Sequence, residues 1–295
     1  MKTNFYIRPL EEIDINTVTY WARNEGFAPG LEDVNIYKNT DTQGLWIGAL
    51  DSQPIGCIAG VKYNSNYGFL GLFIVDQPYR GRGYGLQLWK HVIHHLDDIS
   101  CLGLEAAPNR ITDYESWGFK TSSITTRWEL NSAPCISALK NFSYNVDKYM
   151  LLEGNQIPPN IITNYDKNKE NTPRPHFLSN WLNHKSGTVI AIVDHSGECV
   201  AFCRIRPCLL KNGIGYRIGP LVADSSLLAK LILKHLVLRY QGTILIDSPG
   251  INIKANKLFR SLGSSSISYT VRMYKGSQPS ISMNEIYGLA CLELG

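Results

Sequence analysis

The sequence contains no hydrophobic run long enough to cross a membrane, because its most apolar stretch is Phe69 to Val75 and a spanning helix needs about 18 apolar residues. The first twelve residues, MKTNFYIRPLEE, include acids where a secretory signal would be apolar, so export is not expected. Charge of one sign is also scarce: 29 Lys and Arg against 25 Asp and Glu give a net charge of +4. Nucleic-acid readers usually carry a stronger and more clustered basic field, so neither nucleic acid nor a membrane is expected as a partner.

The seven cysteines are odd in number and contain no paired C-x-x-C spacing. This usage is typical of a reducing compartment, and we expect a cytoplasmic protein. Cys199, Cys203 and Cys208 lie close together in sequence, but buried strand positions explain them better than a zinc site does. His91 and His95 stand one helical turn apart without a third ligand, which favours a polar helix face. No metal is therefore expected.

The length of 295 residues, with 44% hydrophobic residues, predicts two globular α/β domains with mixed sheets. The first domain is predicted over residues 1–130 and the second over residues 181–295. Residues 131–180 have a looser, polar and proline-marked pattern that is typical of a join. Both halves show the same order: a hairpin, a strand, a helix, a strand, a short helix ending in glycine and a strand. An internal structural repeat is therefore our hypothesis.

Periodicity places the elements of each half. In the first half we predict strands at Phe5 to Arg8, Leu45 to Leu50, Pro54 to Tyr63, Tyr67 to Val75, Leu102 to Ala106 and Ile124 to Leu130, and helices at Asp14 to Asn24 (capped by Asp14), Tyr84 to Leu96 and Thr112 to Trp117. In the second half we predict strands at Thr188 to Val193, Cys199 to Pro207, Gly215 to Val222, Thr243 to Asp247 and Ser268 to Tyr274, and helices at Ser225 to Tyr240 and Ile253 to Leu262.

The segment from Ile74 to Gly85 joins a strand to a helix through three glycines and two arginines. Glycine backbone, free N–H groups at a helix start and arginine side chains together favour an anion such as a pyrophosphate. Neither the dinucleotide fingerprint G-x-G-x-x-G nor the Walker pattern is present in register. From the residues alone, a tight turn with surface arginines stays an open alternative.

The same loop resembles motif A of the GNAT superfamily of acyl-CoA-dependent N-acyltransferases, whose pattern [RQ]-x-x-G-x-[GA] is filled by Arg80, Gly83 and Gly85. Downstream, the segment Tyr114-Glu-Ser-Trp-Gly-Phe119 resembles the Y-x-x-x-G-F segment of that family. The remainder is similar to a YitH-type two-domain subgroup whose second domain is a degenerate GNAT copy. The residues that carry this further resemblance are Glu25 to Gly30, Gly215 to Leu221, Ala223-Asp224, Asp247 to Pro249 and Thr270 to Gly276.

The resemblance implies tandem GNAT folds and acetyl-CoA as co-substrate. It implies that strand residues hold the pantetheine arm, that loop residues hold the pyrophosphate, and that an amide of the strand holds the oxyanion. These cofactor-binding residues are Phe73, Ile74, Val75, Arg80, Gly81, Arg82, Gly83, Tyr84, Gly85 and Leu86. It also implies that Tyr114 is the general acid for the leaving thiolate, a core aromatic being the alternative.

The general base is open, because the strand Gly68 to Leu72 lacks the carboxylate that many family members carry there. Glu25 and Glu105 are the candidates, and a solvated surface carboxylate is the alternative for each. In the second half, Asp224 stands where the phosphate loop would be and would repel a pyrophosphate, so cofactor binding is assigned to the first half alone. The second half is expected to shape the acceptor site.

The implied function is acetyl-CoA-dependent N-acetylation of a small-molecule amine. The alternatives are acetylation of a protein lysine or N-terminus, and an acyl-CoA-binding module without turnover. Arg204, Arg206 and Arg217 are expected on exposed strand faces, with contact to an acidic acceptor as the alternative. The sequence leaves the acceptor and the oligomeric state open.

Overall fold

The computed structural model describes residues 4–143, 148–170 and 174–295. The first half contains the strands β1 (Phe5–Pro9), β2 (Leu45–Leu50), β3 (Gln53–Lys62), β4 (Tyr67–Val75), β5 (Cys101–Ala106) and β6 (Lys120–Asn131). Its helices are α1 (Ile15–Asn24), α2 (Asp33–Thr40), α3 (Tyr84–His95) and α4 (Ile111–Glu115), and α5 (Ser132–Leu139) follows β6.

The second half contains the strands β7 (Tyr149–Glu153), β8 (Thr188–Asp194), β9 (Cys199–Leu209), β10 (Ile214–Ala223), β11 (Thr243–Pro249), β12 (Ser265–Gly276) and β13 (Ile286–Gly288). Its helices are α6 (Ile161–Glu170), α7 (Pro175–Asn183), α8 (Ser226–Arg239) and α9 (Ile253–Ser261). The predicted repeat of element order is confirmed, and a further match appears: β1 with α1 and α2 corresponds to β7 with α6 and α7. The segment 131–180 carries α5, β7, α6 and the start of α7, while its residues 144–147 and 171–173 lie outside the described residues.

All thirteen described strands form one sheet, in the order β1-β2-β3-β4-β5-β12-β6-β11-β10-β9-β8-β7, with β13 paired to β10. One strand of each half, β6 and β12, has crossed into the other half. β12 pairs with β5 of the first half, and β6 pairs with β11 of the second half along seven residue pairs, Thr243–Asn131 to Pro249–Thr125. The two halves therefore share a continuous hydrogen-bonded sheet.

Helices cover both faces of this sheet. Helix α3 buries Leu88, Trp89 and Val92 against one face of the first half, as its helical spacing predicts. Helices α1, α2 and α7 cover the opposite face, where Leu72 and Ile74 of β4 are buried. The core of the second half lies among α5, α8 and α9 and the strands β8 to β11. The cleft described below lies between these layers in the first half.

Local signals at helix ends have mixed outcomes. Gly118 and Gly263 follow α4 and α9 with φ angles of 86° and 74°, so both glycines end helices as predicted. Asp14 occupies the N-cap position of α1 as predicted, but its carboxylate does not cap the helix. It accepts two bonds from Arg8, at 2.6 and 2.8 Å, and one from the Glu11 N–H. An arginine on β1 competes successfully for this carboxylate because it brings a full charge.

The structure shows whether each cysteine is paired or free, and whether it is buried. All seven cysteines are free and buried, which confirms the strand assignment of Cys199, Cys203 and Cys208. Within the described ranges, none of the helices is both long and apolar enough to span a bilayer.

Candidate active site

A cleft of about 980 Å³ opens in the first half where two parallel strands separate. β4 and β5 pair only from Tyr67–Cys101 to Leu70–Leu104. Beyond this point Leu72 adopts a φ of 47° and the β3–β4 register shifts, so β4 bends away from β5. The separated strand ends leave a space that is lined from both faces of the sheet, because the lining includes Trp89 of α3 and Phe27, which follows α1.

The glycine loop borders this cleft at the start of α3. Gly81 and Gly83 have φ angles of 73° and 82°, and a Cβ on either glycine would meet no atom within 4 Å. The loop therefore has left-handed backbone and open space in front of it, and Gly83 is the N-cap of α3. Gly85 differs, since a Cβ there would lie 3.3 Å from Val75 Cγ2; this glycine allows α3 to pack on β4. Such a helix start suits a phosphate.

Most of the predicted cofactor residues line the cleft, and two do not. The lining residues are Phe73, Ile74, Val75, Arg80, Gly81, Gly83, Gly85 and Leu86. The Arg82 guanidinium instead lies 6.0 Å from the centre of the Tyr79 ring, and the Tyr84 ring packs 4.9 Å from that of Phe5. Both therefore stand beside the loop rather than in the cleft.

All three candidate catalytic residues also line the cleft. Tyr114 packs against Trp89 and Phe119 at ring distances of 5.2 and 6.4 Å. Burial raises the pKa of Tyr114 to about 12. The phenol is therefore protonated at neutral pH and able to donate a proton.

Glu105 is buried, so the alternative of a solvated surface carboxylate is wrong for this residue. Its side chain is 2% exposed and accepts bonds from Thr125 (2.9 Å), Thr270 (2.6 Å) and Arg272 Nε (2.6 Å). Burial lowers the pKa of Arg272, but the Glu105 charge outweighs it and raises that pKa overall. These contacts join β5, β6 and β12 at the floor of the cleft.

Glu25 lies in the loop between α1 and α2, at the cleft mouth. Its Oε1 atom is 2.6 Å from Arg80 Nη2, while Arg80 Nε donates to the Val75 carbonyl at 2.7 Å. Both side chains of this ion pair are more than one third exposed. The pair therefore joins the predicted phosphate loop to a candidate base.

Arg204, Arg206 and Arg217 are buried, so the predicted exposed positions are wrong. Arg206 forms two 2.8 Å bonds to Asp33, and Arg217 binds Asp247 at 2.8 Å. Arg204 lies 4.7 Å from the Trp181 ring, and burial lowers its pKa to about 9. For Arg206 and Arg217, buried carboxylates compensate the cost of taking the charge out of water.

Sequence reasoning missed several lining residues from distant parts of the chain. These are Phe27, Arg127, Ser268, Tyr269, Thr270, Leu292 and Glu293. The segment Ser268 to Thr270 belongs to β12 and reaches the cleft only because that strand crosses between the halves. The one local signal was the charge of Arg127, since the other residues from Thr121 to Trp128 are uncharged.

The corresponding opening in the second half is filled by the chain itself. β10 and β11 pair in parallel over three residue pairs, from Tyr216–Ile244 to Ile218–Ile246. β13 then pairs with β10 through Val222 and Leu221, and Asn252 donates to the Ile286 carbonyl at 2.9 Å. Asp224, at the position of the missing phosphate loop, accepts bonds from Tyr165 and Lys169, each at 2.8 Å.

Comparisons with known proteins agree with this architecture. A model described as "Acetyltransferase (GNAT) family" matches residues 15–119, and one described as "Acetyltransferase (GNAT) domain" matches residues 162–288. The chain is 28% identical over 289 residues to the holothin acyltransferase of Pseudoalteromonas sp. (strain SANK 73390), covering 97% of this chain and 92% of that protein.

Two solved structures share the fold over nearly the whole chain. A candidate acetyltransferase from Pyrococcus horikoshii superposes with a TM-score of 0.78 at 22% identity, covering 99% of this chain and 96% of the other. A tandem GNAT protein from the clavulanic acid biosynthesis pathway gives a TM-score of 0.65 at 14% identity, covering 94% and 100%. The chain belongs to the GNAT superfamily and carries two GNAT domains in tandem.

Proposed function

We propose that this protein is an acetyl-CoA-dependent N-acetyltransferase that acts on an amine of a small molecule. The family and the similarity to an acyltransferase support acyl transfer as the reaction class. Transfer from acetyl-CoA to an amine is supported by one observation: a single cleft brings together the glycine loop, the separated end of β4 and the Tyr114 phenol. The matching opening of the second half is closed by β13, so we assign turnover to the first half.

The residues of the cleft fit an acyl-CoA. The loop in front of α3 has open space at Gly81 and Gly83 and directs the start of a helix towards it, as a pyrophosphate requires. The end of β4, from Phe73 to Val75, has no strand partner on the side of β5 and offers backbone groups there for an extended pantetheine arm. Acetyl-CoA would supply the thioester, and the chain would position it.

Tyr114 is proposed as the general acid. Because its pKa is raised to about 12 by burial, the phenol keeps its proton at neutral pH and is unsuited to act as a base. The proton passes from the Tyr114 oxygen to the departing sulfur as the C–S bond breaks. The amine nitrogen forms the new C–N bond and loses one proton, so the transfer is balanced once a base accepts that proton.

Glu25 is proposed as that base, and Glu105 as a residue that holds the floor of the cleft. Glu105 already accepts three bonds from Thr125, Thr270 and Arg272, which leaves it poorly placed to accept a proton from the amine. Glu25 has one exposed partner, Arg80, and exposed ion pairs typically contribute only about 0–1 kcal/mol. A bound pyrophosphate would attract Arg80 more strongly and free the Glu25 carboxylate.

The proposed acceptor is a small molecule because the cleft is bounded on several sides. Tyr269 of β12 and Leu292 of the final segment line it together with Phe27, so both halves enclose the space. A volume of about 980 Å³ lies within the range of small-ligand sites, which are typically about 300–1,000 Å³. The similar acyltransferase that is named for holothin makes holothin a reasonable first acceptor to assay.

The test is release of free thiol from acetyl-CoA with a panel of acceptors. The panel contains holothin, simple aliphatic and aromatic amines, and a lysine-containing peptide. We expect thiol release with small amines and little with the peptide. CoA binding without thiol release on any acceptor would contradict an enzyme and favour a binding module, whereas preference for the peptide would contradict the small-molecule acceptor.

A further inference from the structure

The loop that brings Glu25 into the cleft follows α1, whose carbonyls bind its first N–H groups, but its own carbonyls are bound mainly by groups of the second half. This acceptor loop, residues 25–30, has left-handed backbone at Gly26 (φ 78°) and Ala28 (φ 53°). A non-glycine residue with this conformation is strained and persists only when its surroundings fix it. The left-handed backbone at Ala28 therefore depends on the groups that bind the carbonyls around it.

Successive carbonyls of the acceptor loop each have a donor. Arg127 Nη1 donates to the Gly26 carbonyl at 2.9 Å. Arg217 Nη1 lies 3.2 Å from the Phe27 carbonyl and 3.4 Å from that of Ala28. The Leu209 N–H donates to the Pro29 carbonyl at 2.8 Å. Two of these donors, Arg217 and Leu209, belong to the second half, and Arg127 stands on the strand that crosses into it.

Asp247 binds both arginines, and Arg217 Nη1 also lies 3.4 Å from Glu293 Oε1. Asp247 Oδ1 accepts from Arg127 Nε at 2.7 Å, and Asp247 Oδ2 accepts from Arg127 Nη2 at 3.0 Å and from Arg217 Nη2 at 2.8 Å. All three side chains are buried. Burial raises the pKa of Asp247, but the two arginines outweigh it and lower that pKa to about 2. The carboxylate is therefore charged at neutral pH and fixes two guanidinium forks.

We propose that Asp247, acting through Arg127 and Arg217, is a positioning residue that sets the acceptor side of the active site. The inference rests on the proposed function, because it takes the cleft as an acetyltransferase site. Asp247 does not touch the cleft, whereas Glu25, Gly26 and Phe27 line it. The phosphate loop is built from β4 and α3 of the first half, so the positioning acts on the amine rather than on CoA.

Two variants separate this role from general stability. Asp247→Asn removes the charge that orients both arginines. Arg127→Lys keeps a charge beside Asp247 but removes the planar fork that reaches Asp247 and the Gly26 carbonyl together, so it remains informative if the asparagine variant does not fold. The matched control is Asp166→Asn, since Asp166 is also buried and accepts two bonds from one arginine, Arg174, away from the cleft.

The experiment measures the KM of the amine that the wild-type protein turns over, the Kd of CoA, and amide hydrogen exchange across residues 24–31. We expect faster exchange in the acceptor loop and an amine KM raised on the order of tenfold in Asp247→Asn and Arg127→Lys, with no loss of CoA affinity. Asp166→Asn should alter none of the three.

Each contrary result has a distinct meaning. Unchanged loop exchange, or a loosened loop with an unchanged amine KM, overturns the positioning role of Asp247. Loss of CoA affinity equal to the rise in amine KM also overturns it, because the effect would then not be confined to the acceptor side. Absence of turnover in the wild-type protein would instead count against the proposed function, while loop exchange would still test the contacts of Asp247.

Discussion

At the scale of single residues, the Tyr114 phenol is the group whose proposed role makes the sharpest prediction. Tyr114→Phe keeps the ring that packs on Trp89 and Phe119 but removes the proton donor. We expect kcat to fall on the order of 100-fold, because general acid catalysis typically contributes this much or more. Steady-state rates and CoA titration would check it.

The pH profile and the affinity for CoA provide the controls for Tyr114. Because burial raises the pKa of this phenol to about 12, the wild-type rate should show no alkaline decline from its ionisation between pH 7 and about 10. The Kd of CoA should be the same in wild type and Tyr114→Phe. A variant with unchanged kcat, or one that simply fails to bind CoA, would remove Tyr114 from the chemistry.

The Arg80–Glu25 ion pair makes a second prediction at this scale. If Arg80 must leave Glu25 to bind the pyrophosphate, Glu25→Gln should tighten CoA binding by about two- to fivefold, the range that an exposed ion pair supplies. The same change in an Arg80→Gln background should leave CoA affinity unaltered, since no pair remains to be broken. Calorimetric titration of the four proteins at one ionic strength measures this.

The Arg80→Gln background distinguishes two effects of Glu25 on CoA binding: competition for Arg80, and direct repulsion of the CoA phosphates. A negative charge that acted on CoA from a distance would weaken binding whether or not Arg80 is present. Equal tightening by Glu25→Gln in both backgrounds would therefore contradict the exchange of partners, and no tightening in either would contradict any competition for Arg80.

At the scale of elements, β4, the loop and α3 could be predicted because their signals are local. The strand composition, the glycines and the helical spacing all stand within residues 67–96. The burial of Arg206 and Arg217 could not be predicted, because Arg206 meets Asp33 across 173 positions and Arg217 meets Asp247 on another strand. An arginine on a strand indicates an exposed face unless its distant carboxylate is known.

The closure of the second opening was equally hidden from the sequence. β13 has only three residues, and its pairing is with β10, more than 60 positions away. Short strands carry little periodicity, so only the fold shows that this segment fills the space. The first half keeps its opening because its β4 and β5 have no such segment between them among the described residues.

The loop itself makes a prediction at the element scale. Gly83→Ala should weaken CoA binding on the order of tenfold, because a φ of 82° strains alanine by about 1–2 kcal/mol and the loop must shift to relieve it. The matched control is Gly197→Ala, whose φ is 83° in the turn between β8 and β9 and whose Cβ also meets no atom within 4 Å.

Both alanine variants should lose a similar amount of stability, and only Gly83→Ala should lose CoA affinity. Thermal unfolding and CoA titration of the pair would measure this. Equal CoA affinity in the two variants would contradict the assignment of the pyrophosphate to this loop.

At the scale of the whole molecule, the crossing of β6 and β12 makes the two GNAT domains one structural unit. β12 lies between β5 and β6, and β6 lies between β12 and β11, so each half supplies hydrogen-bond partners to the other. Unfolding of the second half would leave β5 without its neighbour beside the cleft. We therefore expect the halves to unfold together rather than as separate domains.

Leu236→Ala tests this coupling from the far side of the molecule. Leu236 is fully buried in the core of the second half, and truncation of such a leucine typically costs about 2–5 kcal/mol. Helix α8 does not line the cleft. In Leu236→Ala, CoA binding and amide protection of α3 should nevertheless be lost at a lower denaturant concentration, the same one at which α8 unfolds. Leu238→Ala, on the same helix but 57% exposed, should shift neither. If α3 amides stayed protected and CoA stayed bound at denaturant concentrations that unfold α8 in Leu236→Ala, the first half would be stable on its own. The shared sheet would then not couple the stabilities of the two halves.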